Sequence, residues 1–251
     1  MEALMSLPDL AAEVRLQRDY YTRTADQYDA SHVHEADEHG IACRIIAAFL
    51  PLLGARTVLD VGAGTGRAAS ILSELDPALQ VFAVDPVLAL VGKSQKKLDG
   101  RVLVADGSFL PFPDRAYDVT VATGILHHVR NPEAVVREML RVSRLAVFIS
   151  DGNVFGVGAK IVRLLKGVLY GLGLWRAIKF IQTLGKGHSV SEGDGVAYSY
   201  SVFFSYRLLC EETAMTFNIP LDANIKGWLR ASRLFSSQHH LVCAIKQGLV
   251  R

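Results

Sequence analysis

The chain has 251 residues, half of them hydrophobic and 21% charged, a composition that supports a full globular core and excludes an intrinsically disordered protein. Its formal net charge of +2 is too small to mark a phosphate-tracking surface, so nucleic acid is not an expected partner. The three cysteines, Cys43, Cys210 and Cys243, are odd in number and lack CxxC or metal-ligand spacing, which excludes a disulfide framework and fits a reducing cytoplasm.

The first residues, MEALMSLPDLAAEVRL, lack a basic region followed by an apolar core, so no secretory signal is expected. Residues 1–54 carry nine acids against four bases and read as a helical, partly exposed N-terminal region. Within it, Ile41 to Leu53 keeps a helical pattern that Gly54 ends. From Thr57 to Ser150, short β-branched runs alternate with helical patterns: TVLDV, GRAASILSEL, VFAVD, PVLALVGKSQKKL, RVLVA, YDVTVAT, NPEAVVREMLRV and LAVFIS. Near-continuous apolar strands bounded by Gly, Asp or Pro belong to a parallel sheet covered on both faces, so residues 55–151 predict a doubly wound α/β core.

Residues 152–199 are Gly-rich and poor in β-alternation. Gly152 to His188 holds six bases (Lys160, Arg163, Lys166, Arg176, Lys179, Lys186) and no acid, which predicts a basic helical insertion or lid over the strand ends. Residues 200–251 are expected to supply a helix and two late strands, about Thr216 to Leu221 and His240 to Lys246, joined by a loop containing Trp228 and Arg233. These strands complete the sheet as an antiparallel edge pair. The longest apolar run, Gly167 to Trp175, falls well short of the roughly 20 residues that a bilayer span needs.

The sharpest feature is VLDVGAGTGR, Val58 to Arg67, in which an apolar strand ends in Asp60 and passes into a glycine turn that opens a helix. Gly62, Gly64 and Gly66 allow a tight turn and close approach of a ligand to the backbone. An acid follows at the end of the second strand, Asp85, where a carboxylate can accept both hydroxyls of a ribose. Dinucleotide-binding folds share this turn and acid, but GxGxxG read from Gly62 needs glycine at position 67, which is Arg67.

The order Asp-x-Gly-x-Gly-x-Gly resembles motif I of class I S-adenosylmethionine (SAM) dependent methyltransferases. VFAVDP resembles motif II, which puts Asp85, beside Pro86, on the SAM ribose. VADGSFLPF resembles the segment after the third strand, in which Asp106, followed by Gly107, accepts from the adenine amine. YDVTVATGILHHV resembles the fourth strand, ending at Thr123, and its loop. Leu126, His127 and His128, with YTRTADQYD from Tyr21 to Asp29, resemble the small-molecule branch that includes the quinone-biosynthesis methyltransferases. There the N-terminal tyrosine region closes over the methionine end, which makes Tyr21 and Tyr28 cofactor contacts.

The resemblance covers about Leu52 to Ser150. It implies a mostly parallel seven-stranded sheet with an antiparallel edge strand, Asp60, Gly62, Gly64, Gly66, Asp85, Pro86, Asp106, Gly107 and Thr123 at the cofactor, and SAM as that cofactor. The sequence departs from the family at the fifth strand. Where Lys-Pro-Gly-Gly often stands, Arg141-Val142-Ser143-Arg144 runs almost directly into LAVFIS, which shortens the helix-to-strand turn.

Methyl transfer from a sulfonium is an in-line displacement that mainly needs alignment, so no metal is required. An oxygen acceptor also needs a base, and histidine fits best near neutral pH. His127 and His128 follow the fourth strand, where ligands gather in open α/β sheets, and either contact substrate or orient the loop. Asp151, past the fifth strand, is a rival base or a turn cap. His188, His239 and His240 are weaker candidates. Tyr198, Tyr200, Phe203, Phe204 and Tyr206 line an acceptor pocket or, as the more usual role, fill the core.

In the insertion, Ile161, Leu164, Leu165, Val168 and Leu172 share one helical stripe opposite Lys160, Arg163 and Lys166. Three uses stay open for residues 160–175: a lid with its apolar stripe on the core, peripheral contact with a membrane, or recognition of an anionic or lipid-linked acceptor. The expected function is methyl transfer to a small molecule, with oxygen favoured. The alternatives are a quinone-type C-methyltransferase and a SAM-binding protein without turnover.

Overall fold

A computed structural model describes residues 7–27, 37–191, 195–221 and 237–246. Tyr28 and the segment with Trp228 and Arg233 lie outside them. The chain begins with α1 (Leu7–Thr24) and α2 (Glu38–Leu53). It continues through β1 (Thr57–Val61), α3 (Arg67–Leu75), β2 (Gln80–Asp85), α4 (Leu88–Lys97) and β3 (Val102–Val104). Then come β4 (Tyr117–Thr123), α5 (Pro132–Val142), β5 (Ser143–Gly152), α6 (Lys160–Gly171) and α7 (Trp175–Gln182). A hairpin of β6 (His188–Ser191) and β7 (Gly195–Tyr198) precedes α8 (Tyr206–Glu212), β8 (Met215–Pro220) and β9 (His239–Ile245).

Seven strands form one sheet in the order β3-β2-β1-β4-β5-β9-β8. Strands β1 to β5 are parallel, and β9 runs antiparallel to both β5 and β8. The expected antiparallel edge pair is present, with the reversed strand β9 second from the edge and β8 outside it. Alternate side chains face opposite ways along each strand, so Val58 packs with Ile46 and Leu50 of α2 and Leu72 of α3, whereas Leu59 packs with Val136 and Met139 of α5. Helices therefore cover both faces, as near-continuous apolar strands require. Strand order reverses between β1 and β4, which opens a crevice at their carboxyl ends.

The predicted insertion is only partly helical, because the β6–β7 hairpin follows α6 and α7. Each of its strands has four residues, too few for a period-two signal to stand out. The shortened turn before the fifth strand is also explained. No residue separates α5 from β5, and Lys246 Nζ donates to Leu140 O and Ser143 O at 2.5 and 2.9 Å, supplying cationic donors to the carboxyl end of the helix.

Asp118 fastens the opposite end of the sheet. One carboxylate oxygen accepts from Arg56 N and Thr57 N at 2.8 and 3.2 Å, and the other from Arg144 Nε and Nη2 at 2.9 and 2.6 Å. Asp118→Ala leaves two backbone donors and a guanidinium without this acceptor, so urea unfolding is expected to show a loss of about 2–3 kcal/mol.

Candidate active site

The turn after β1 has glycine where the backbone demands it. Gly62, Gly64 and Gly66 have φ of 73°, 57° and 84°, a region that costs other residues strain. A Cβ on Gly62 would sit 2.7 Å from Ile125 Cγ2, so the turn after β1 and the loop after β4 touch. Gly62 N and Ala63 N both donate to Val84 O, which joins the turn to β2.

Asp85 clamps this arrangement. Its carboxylate accepts from Gly64 N and from Val87 N, each at 2.8 Å. Burial pushes the carboxyl up to about 6, against the pull of those two N–H groups. Asp60 is 1% exposed, and burial pushes it up to about 7. Its Oδ2 accepts from Ala69 N at 3.2 Å, while Oδ1 has no hydrogen-bond partner among the described residues. Arg67, the residue that breaks GxGxxG, pairs with Asp37, whose Oδ1 caps α2 by accepting from Gly40 N.

Asp106 lies beyond β3 with its side chain 54% exposed, accepts from Ser108 N at 2.9 Å and faces Arg18 of α1 at 3.8 Å. Gly107 packs closely, since a Cβ there would come within 3.0 Å of Val61 Cγ1. Pro86 and Thr123 are half-buried at the ends of β2 and β4. Helix α1 reaches both halves of the crevice: Arg18 meets Asp106, and the Tyr21 hydroxyl meets His128 Nε2 at 3.0 Å. Its Glu13 pairs with Arg130 and accepts from the Tyr198 hydroxyl at 2.6 Å, and its Gln17 accepts from Val196 N, which holds the hairpin against the helix.

His127 and His128 occupy a 3-10 turn after β4 and have different roles. His127 Nδ1 lies 2.8 Å from Asp151 Oδ1. Asp151 is 1% exposed and also accepts from Leu126 N and Gly152 N, at 2.8 and 2.6 Å. Burial raises the Asp151 carboxyl, but the His127 imidazole and then the Gly152 N–H outweigh it and hold the group below the usual range. A neutral His127 therefore keeps its proton on Nδ1 and presents Nε2 as an acceptor, with the side chain 26% exposed. His128 Nδ1 lies 2.7 Å from Val196 O, which can only accept, so the neutral ring receives the Tyr21 hydroxyl at Nε2. Both His128 nitrogens thus link α1 to the hairpin.

Residues 59–146 match a family model described as a methyltransferase domain. That stretch, about a third of the chain, is similar to methyltransferase domains. Over 87 residues it is 37% identical to a demethylmenaquinone methyltransferase of Thermotoga maritima, covering 34% of this chain and 38% of that one. Over 127 residues it is 30% identical to a malonyl-[acyl-carrier protein] O-methyltransferase of a Marinomonas strain, covering 49% and 45%. The chain spans about a third to half the length of the curated relatives it matches. Its fold is that of the class I methyltransferases. The 1,6-didemethyltoxoflavin-N1-methyltransferase of Burkholderia thailandensis superposes with a TM-score of 0.59 at 17% identity, covering 99% of this chain and 93% of that one.

In this α/β core the glycine turn, Asp85, His127 and Asp151 gather at the carboxyl ends of β1, β2, β4 and β5. Three other histidines are engaged elsewhere. His188 faces Glu13 at 3.3 Å, His240 is fully buried with Nδ1 3.1 Å from Asn218 Nδ2, and His239 stacks edge-on with His39. Tyr200 belongs to the core, and Phe203, Phe204 and Tyr206 pack against it.

Sequence reasoning missed His39. Its Nδ1 lies 3.0 Å from Ser150 Oγ, and a Cβ on Gly124 would meet its Nε2 at 2.7 Å. Burial, helped by Arg67, pulls its pKa down to about 4, against the opposing charges of Asp151 and Asp37. An unfolded histidine titrates near 6.5, so the unfolded chain binds the extra proton first. The contribution of neutral His39 is complete above about pH 6.5 and is lost as pH falls toward 4, a change on the order of 1–3 kcal/mol. Urea midpoints between pH 7 and 4.5 are expected to fall less for His39→Gln than for the parent. Equal falls would place the acid sensitivity elsewhere.

Proposed function

We propose that the chain is a SAM-dependent methyltransferase acting on a small-molecule acceptor, with oxygen as the accepting atom. The observation that carries the reading is the meeting, at the strand-order reversal, of a glycine turn clamped by Asp85 and an imidazole oriented by Asp151. Residues 55–151 supply the cofactor site, and the regions 1–54, 152–199 and 200–251 respectively roof it, flank it and complete the sheet.

The residues fit the cofactor. The unpartnered Asp60 Oδ1 lies beneath the glycine turn, and each Asp85 oxygen keeps a lone pair beyond its single N–H bond, as a ribose diol requires. Gly62, Gly64 and Gly66 would lie along SAM, Asp106 would accept from the adenine amine, and Tyr21 would close over the methionine end. When bound, SAM supplies the methyl group and a leaving group already activated by its positive charge. The chain's own task is to align the acceptor and take its proton. His127 Nε2 is the acceptor of that proton, and Asp151 stabilises the resulting imidazolium while fixing the ring.

Oxygen is favoured because it needs such a base, and the Marinomonas relative carries an O-methyltransferase name. A quinone-type carbon acceptor is the second reading, supported by the Thermotoga relative.

Incubation with methyl-labelled SAM and cell extract is expected to move label into the small-molecule fraction. His127→Ala should keep S-adenosylhomocysteine affinity while turnover falls by about 10²–10⁴. Equal loss of both would make His127 a loop support. Cofactor binding without transfer into any fraction would favour a binding protein without turnover.

A further inference from the structure

The stripe expected on α6 exists, but it faces outward. Of its five residues, Ile161, Leu165, Val168 and Leu172 recur at helical spacing and are 73, 57, 57 and 65% exposed, while Leu164 is half-buried. On α7, Phe180 and Ile181 are also exposed. The inner side is occupied by other groups. Phe155 contacts Tyr170 and Trp175, with ring centroids 5.0 and 5.3 Å apart, and Lys166 Nζ donates to Val154 O and Val157 O at 2.9 and 3.0 Å. Arg163 Nε likewise donates to Gly158 O at 2.7 Å. Of the three uses left open, a lid with its apolar stripe on the core fits this orientation least: Lys166 donates to the carbonyls of the turn beneath, and most of the aliphatic stripe faces solvent.

We propose that α6 and α7 form a docking surface for an anionic lipid bilayer, lying in its interface. An exposed apolar helix stripe is costly to leave in water and marks a contact site. Charge selects the partner. The segment from Gly152 to His188 has six bases and no acid, and Lys160 and Lys186 are exposed, which complements anionic headgroups. A symmetric contact with a second copy would lay this all-basic segment against itself, so like charges oppose that occupant. Among the described residues no helix is long and apolar enough to cross a membrane, so the contact is peripheral.

The inference stands apart from methyl transfer, because its readout is sedimentation with vesicles. At low salt the full chain is expected to bind phosphatidylcholine–phosphatidylglycerol vesicles at least about tenfold better than phosphatidylcholine alone. Leu165→Glu with Val168→Glu is expected to lower the partition coefficient about tenfold or more, by removing the inserting stripe. Lys160→Glu with Lys186→Glu should weaken binding at low salt, with the gap narrowing as salt rises. If the first pair lowers the melting temperature, Ile161→Ser with Leu172→Ser reads the same face. Sedimentation with neither vesicle overturns the proposal. So does vesicle binding that the stripe variants leave unchanged, or a dimer in ultracentrifugation that those variants abolish.

Discussion

The Asp85 carboxylate is the interaction on which the site depends. A buried negative charge at the end of β2 requires donors, and it takes one from the glycine turn after β1 and one from its own turn into α4. That demand draws the backbone of Gly64 toward β2 and forces left-handed conformations that glycine alone adopts cheaply. The turn then meets Ile125 at Gly62, which fixes the loop carrying His127. A second buried carboxylate, Asp151, repeats the device on the neighbouring strand and holds that imidazole from behind. Two solvent-shielded acids thus set the relative positions of the glycine turn and the His127 imidazole.

Helix α1 adds a roof whose attachments divide between the two halves of the crevice. Arg18 faces Asp106 on the β3 side, and Tyr21 meets His128 on the β4 side. His128 meets partners through both nitrogens, so adjacent residues of identical type serve separate ends: Asp151 orients His127, and His128 fastens α1 to the hairpin. The exposed stripe of α6 lies beyond Phe155, on the chain segment that leaves β5 directly after Asp151.

Much of this was legible in the sequence because the determinants are local. The glycine turn, the strand-end acids and the uninterrupted apolar strands each lie within ten residues, and the two late strands kept their patterns too. The β6–β7 hairpin was not legible, since four-residue strands carry too little alternation. Amphipathicity revealed the stripe on α6 but not which side faces inward, because that choice was made by Lys166 meeting carbonyls of a preceding turn and by aromatic packing at Phe155. His39 was invisible for a different reason: its partner Ser150 is 111 residues away, and no local pattern announces such a pairing. The Tyr21–His128 contact, across 107 residues, was equally invisible, since the family resemblance implied only a cofactor contact for Tyr21.

The central claim is that the turn clamped by Asp85 holds S-adenosylmethionine and not a dinucleotide. Titration calorimetry with S-adenosylhomocysteine and NAD tests it most directly. The account predicts that S-adenosylhomocysteine binds and NAD does not, and that Asp85→Asn, which keeps the side chain's shape but removes its charge, weakens binding about ten- to a hundredfold. Tighter binding of NAD than of S-adenosylhomocysteine would contradict it.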